Sequence, residues 1–225
     1  MATSKTDTGF RGLYESFLNR KLTARDGIEE SRRWRPMPEK LREFYRRVGQ
    51  VDSINRGFNH LHRPWEIEAE RGYSVFMVEN QAVAVWAFRS EDSNETDPCI
   101  YQGLCLENGK VEWYREDFRC AEWLIGMAHW QIVNGACFRY HACVETRRNL
   151  RTQVEKHWKH RLTITSGPLE FYGKGGQLLC WCPKKSSGGI LLAAGQSLAD
   201  IRRIHQRMNI RWDFSDYDEL NDNDC

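Results

Sequence analysis

Tyr73-Ser-Val-Phe-Met-Val-Glu-Asn-Gln-Ala-Val-Ala-Val-Trp-Ala-Phe88 is the stretch on which the fold class turns. It holds two apolar runs, Val75–Val78 and Ala82–Phe88, separated by the polar triplet Glu79-Asn80-Gln81. Both runs are rich in Val and aromatics and too short for ordinary helices, so each reads as a buried strand. The triplet then reads as a tight turn, because Asn tolerates turn geometry and three polar residues would be costly in a core. The spacing predicts a hairpin at the middle of the fold, and the stretch carries no nucleophile, metal-ligand set or phosphate loop.

Working outward, Pro38 to Gly49 reads as a one-sided surface helix. Proline suits a first helical turn, and Leu41, Phe44, Tyr45 and Val48 follow the i, i+3, i+4, i+7 pattern. Gly49 stands where a helix would end in left-handed geometry. A shorter helix is expected around Leu13–Leu18, after a loosely attached start of about twelve residues. On the other side, Cys99–Leu106 and Lys110–Arg115 flank Glu107-Asn108-Gly109, and Asn-Gly between two strand-like runs is a strong hairpin signal. Asp117 to Asn134 reads as a largely buried helix stopped by Gly135.

The second half reads as a strand over Ala136–Val144, a polar helix within Thr146–Trp158, and a glycine-turn hairpin over Phe171–Cys182. Ser197-Leu-Ala-Asp200 opens a final helix with a capping-box pattern, Asp replacing the usual Glu or Gln. Lys184–Gly189 is the one linker-like stretch, and its flanks do not separate clearly. The chain is therefore expected to form a single α+β domain over residues 1–225.

Bulk properties bound the function. The chain has 225 residues, 40% of them hydrophobic, with a formal charge of +2. That balance suits a soluble globular protein with a real core. Positive charge concentrates in segments 20–47 and 147–161 and negative charge in 213–224. This distribution suits plain solvation, an acidic partner or nucleic acid. Trp123 to Phe138 is too short and polar to span a bilayer, so no membrane is expected. The N-terminus has no apolar leader-like core, and the 8 Cys follow no framework spacing. A cytoplasmic protein with reduced thiols is the expectation.

Each chemical motif has a plainer reading beside it. Trp86, Trp113 and Trp123 read as core before cleft. Cys180 and Cys182 with His157 and His160 form a zinc-compatible set, but Cys-x-Cys differs from the usual Cys-x₂₋₄-Cys knuckle. Gly173-Lys-Gly-Gly176 lacks phosphate-loop spacing and reads as a hairpin turn. Cys120, Cys137 and Cys143 would need contact with His129 or His141 to act as nucleophiles. No strong catalytic motif is present, so neither enzyme activity nor a cofactor is expected.

In their order the motifs resemble the SUKH superfamily, which contains yeast cell-wall-synthesis regulators and many bacterial immunity proteins. The carrying residues are Met37-Pro38-Glu-Lys-Leu41-Arg-Glu-Phe44-Tyr45-Arg-Arg-Val48-Gly49 and Val75 to Trp86 with its Glu79-Asn80-Gln81 triplet. Asp97-Pro98-Cys99-Ile100 and Trp113 ahead of a helix complete the series. The resemblance covers about residues 36–130, leaving about 140–225 as an extension without a counterpart. Cys99 stands where many members carry a second proline. The resemblance implies an α+β fold, with a mixed sheet of hairpins and helices packed around it. It also implies a non-catalytic role binding a protein partner, either a toxin domain to be neutralised or a regulatory protein. Trp86, Asp97, Pro98 and Trp113 are the candidate partner-binding residues. Nucleic-acid binding through segments 20–47 and 147–161 is the alternative.

Overall fold

The computed structural model describes residues 9–164, 168–184 and 187–217. The chain divides into two compact units, residues 1–127 and 128–225. The expected division placed a core at 36–130 and an extension from about 140; the boundary found falls inside one helix, between Met127 and Ala128.

In the first unit, α1 (Gly9–Leu18), α2 (Glu39–Val48) and α3 (Asp52–Asn55) precede β1 (His60–Leu61), β2 (Glu68–Glu70), β3 (Tyr73–Val78), β4 (Ala84–Arg89), β5 (Cys99–Cys105) and β6 (Val111–Arg119). The helix α2 buries Leu41, Phe44, Tyr45 and Val48, the face its spacing predicts. Phe10 and Tyr14 of α1 meet the Phe44 ring edge-on. The Tyr14 hydroxyl donates to Asn55 Oδ1 at 2.6 Å, and Asn55 donates to the Val48 carbonyl at 2.7 Å. This chain of bonds lets two polar side chains be buried without loss.

Gly49 departs from expectation, since its φ is −61° rather than left-handed. Its smallness serves packing instead: a β-carbon there would lie 2.6 Å from the Tyr45 carbonyl oxygen and 2.9 Å from Ile28 Cδ1.

The sheet of this unit runs β1-β3-β4-β5-β6, with β2 also pairing β3. Glu79-Asn80-Gln81 is the turn between β3 and β4. The Glu79 carboxylate accepts from the Gln81 N–H, and the left-handed residue is Ala82, at φ 58°, not Asn80. Between β5 and β6, Leu106 bonds both Gly109 and Lys110, and Gly109 takes φ 73°. This is a type I turn closed by a left-handed glycine rather than the two-residue form.

The helix α4 (Cys120–Val133) starts three residues later than expected, because Asp117-Phe118-Arg119 continue β6. It ends at Gly135, which adopts φ 104°. In the second unit follow β7 (Tyr140–Thr146), α5 (Arg151–Glu155), β8 (Lys159–Ile164), β9 (Leu169–Lys174), β10 (Gln177–Pro183), β11 (Gly189–Gly195), α6 (Leu198–Met208) and β12 (Phe214–Ser215). The strand order is β12-β7-β11-β10-β9-β8.

One face of this sheet packs against the helices. Val144, Tyr172, Leu179, Trp181, Leu191 and Ala193 meet Val154 and Trp158 and, from α6, Ile201, Ile204 and Met208. The capping box that opens α6 is present, Ser197 and Asp200 bonding reciprocally. Lys184–Gly189 closes the β10–β11 hairpin instead of linking domains: Lys184 N–H bonds the Gly188 carbonyl and Pro183 pairs Gly189. Residues 185–186 of that stretch, and the acidic end from 218, lie outside the described residues.

The α+β class read from the sequence is the class observed, with helices set against antiparallel sheets. The hairpins form two sheets, and every pairing among the described residues is antiparallel, not mixed. Between β3 and β4, β5 and β6, β9 and β10, and β10 and β11 the short turns permit only antiparallel return, since a parallel neighbour needs a long crossover.

Candidate functional site

Register fixes which side chains share a face of the first unit's sheet. Tyr73 pairs Arg89; Val75 pairs Ala87, which pairs Tyr101, which pairs Arg115. Val85 pairs Gly103, which pairs Trp113. Directly paired residues point the same way, so Tyr73, Arg89, Tyr101, Arg115 and Trp113 stand on one face, together with Glu68 and Glu70 of β2, which pair Val75 and Tyr73, and Arg119, which pairs Cys99. The opposite face carries Trp86, which packs against Trp123 of α4.

That face is curled. Tyr73 and Trp113 lie three strands apart, which in a flat sheet is about 14 Å. Their ring centroids are 4.1 Å apart with planes at 13°. Tyr101 meets Tyr73 edge-on at 5.3 Å. Gly103 makes the approach possible: a β-carbon there would lie 2.9 Å from Trp113 Cζ3 and 2.5 Å from Val111 Cγ1. The aromatic cluster covers Val75 and Ala87, both buried, while Tyr73, Tyr101 and Trp113 each keep part of their surface in solvent.

Two exposed arginines flank the rings. The Arg89 guanidinium lies 5.3 Å from the Tyr101 ring centroid and bonds Glu91 Oε1 at 3.2 Å. Arg115 donates to Cys99 Sγ at 2.9 Å. Its charge is favoured chiefly by Cys99 and opposed by Arg89, which places the two guanidinium groups in each other's field.

The four candidate residues go to different places. Trp113 is part of the half-buried cluster. Trp86 is 7% exposed and belongs to the core. Asp97 and Pro98 sit at the start of α4, where Asp97 Oδ1 accepts from the Ala121 N–H at 2.9 Å and the Pro98 carbonyl accepts from Cys120 at 2.8 Å. Asp97 thus caps a helix from more than twenty residues away. Asp97→Ala is expected to destabilise the protein by about 1 kcal/mol, as loss of a helix cap does. A thermal melt should show a fall of about 2–4 °C, with Asp97→Asn close to the parent. An unchanged melting temperature would refute the capping role. Sequence reading missed Tyr73, Tyr101, Arg89 and Arg115. Strand alternation could have placed Tyr101, Trp113 and Arg115 together, but nothing local brings in Tyr73.

Ion pairing partly neutralises segment 20–47 and takes up one arginine of 147–161 among the described residues. Arg20 pairs Asp26, Lys40 and Arg47 pair Glu43, and Arg42 and Arg46 pair Glu30 and Glu39. In 147–161, Arg151 pairs Glu155 and Glu170. Trp158 is 2% exposed and donates to Gln177 Oε1, so it offers no ring face for a base to stack on.

Burial raises the pKa of Cys120 and Cys143 and pushes Cys137 up to about 11, away from the thiolate a nucleophile needs. Cys180 and Cys182 have sulfurs 3.7 Å apart. His160 packs on Tyr172, and the register puts Tyr172 and Cys180 on opposite faces of the sheet, so the zinc-compatible set is not assembled. Among the described residues no three His, Cys, Asp or Glu side chains converge on a metal position. Ser215 Oγ lies 2.7 Å from His205 Nε2 but is buried and also accepts from the Tyr217 N–H, which anchors a turn. Among the described residues no helix is long and apolar enough to cross a membrane. Comparison with protein-family models, curated proteins and solved structures finds no match for this chain.

Proposed function

We propose that the chain is a non-catalytic binding module of SUKH type that takes a protein partner, a toxin domain or a regulatory protein, on the curled sheet face of its first unit. The observation that carries this reading is the Tyr73–Tyr101–Trp113 cluster set between Arg89 and Arg115. Trp, Tyr and Arg are the residues that dominate interface hot spots, and packed rings lose little freedom on binding. Neutralisation would be occlusion, with the rings as anchors and the charged rim setting on-rate and discrimination. The cytosol is the proposed compartment, where the free cysteines of the described residues stay reduced.

A pull-down from native lysate, at two salt concentrations and with a nuclease-treated parallel, tests the proposal. A discrete protein that survives nuclease and higher salt is expected. Trp113→Ala should weaken its capture about 30-fold, equivalent to about 2 kcal/mol for a central aromatic anchor. Recovery of nucleic acid alone, lost at higher salt, would replace this reading with the nucleic-acid one.

A further inference from the structure

We infer that the partner is acidic at the point of contact: it presents carboxylates to Arg89 and Arg115 beside an apolar side chain that lies against Tyr73 and Trp113. This rests on the protein-binding reading and specifies the partner's chemistry. The argument begins with charge. Arg89 and Arg115 stand on one face, on β4 and β6 with Tyr101 between them, and Arg89 opposes the charge of Arg115; the carboxylates of β2 on that face, Glu68 and Glu70, lie on the far side of β3 from both arginines. Their only carboxylate contact among the described residues is Arg89 with Glu91, a pair in which the glutamate is 72% exposed. An exposed pair of that kind holds weakly and is readily exchanged for a better-desolvated one.

Arg115 has a thiol as its partner and no carboxylate among the described residues. A guanidinium offers a planar fork of donors that matches a carboxylate in two bonds. Two such forks beside packed rings define a site for an anion carried next to an apolar group. An acidic protein segment fits this better than nucleic acid. The Tyr73 and Trp113 rings already stack on one another, leaving no slot between them for a base.

The experiment is titration of the full-length protein with three probes, followed by the indole N–H resonance of Trp113 and by calorimetry. The probes are a twelve-residue peptide of alternating Asp and Glu around a central Trp, its Asn/Gln counterpart, and an oligouridylate of equal length. The acidic peptide should shift the Trp113 resonance and bind at least tenfold tighter than the neutral one. Arg89→Ala with Arg115→Ala should remove most of that advantage without altering the fold, since both side chains are exposed. Equal binding of the two peptides, no shift at Trp113, or an arginine-dependent response to oligouridylate alone would each overturn the inference. Capture of a lysate partner that depends on Trp113 but not on the arginines would sink the acidic-contact inference and leave the binding-module reading standing. Loss of the Trp113 dependence itself would sink both.

Discussion

Trp181→Ala should destabilise the second unit by about 3–5 kcal/mol, the cost of deleting a large buried aromatic. The ring is 1% exposed and sits in the cluster made by Leu191, Val154, Ile201 and Ile204. The backbone closes over it as well: a β-carbon on Gly189 would lie 2.8 Å from the indole. That tight fit against main chain limits how far the site can collapse after truncation, which keeps the cost at the upper end. Denaturant unfolding followed by circular dichroism should show a large drop in midpoint, and Trp181→Phe should recover part of it. A midpoint change under 1 kcal/mol would mean that the indole is not the keystone of this core.

The contrast between what the sequence tells and what it hides follows the range of the interactions involved. Turns at 79–81, 107–109 and 173–176 were readable because a few adjacent residues decide them. The Ser197–Asp200 box was readable for the same reason, both partners lying within one helical turn. The start of α4 was not, because its cap comes from Asp97 across the sheet and not from the residue before the helix. The basic look of 20–47 is only partly kept on folding. Glu30, Glu39 and Glu43 lie in that same stretch and meet Arg42, Arg46 and Arg47. Part of this was legible, since Glu43 and Arg47 are an i, i+4 helical pair. Trp86 and Trp113 looked equivalent in the sequence, yet register puts them on opposite faces. The meeting of Tyr73 with Trp113 needs a curl of the whole sheet, and no local pattern encodes it.

Gly103 is the residue on which that curl depends, and Gly103→Val is the second substitution with a large expected effect. Its backbone is ordinary for a strand, with no positive φ to require glycine, so the requirement is space alone. An added β-carbon would lie 2.5 Å from Val111 Cγ1 and 2.9 Å from both Trp113 Cζ3 and Val85 Cγ2. Two of those neighbours are β-branched side chains with little rotamer freedom, so the indole is the group that must yield. Overpacking of this kind costs about 2–3 kcal/mol. The displaced Trp113 would also leave the Tyr73 ring, dissolving the platform while both arginines remain. Near-ultraviolet circular dichroism should lose the signal of the stacked pair, and acidic-peptide binding should fall at least as far as in Trp113→Ala. Gly109→Ala, in open space at the turn but with φ 73°, serves as the comparison. It should cost some stability through backbone strain yet leave the ring signal intact. If Gly103→Val binds like the parent protein, the stacked rings are not the anchor, and the partner face lies elsewhere on the molecule.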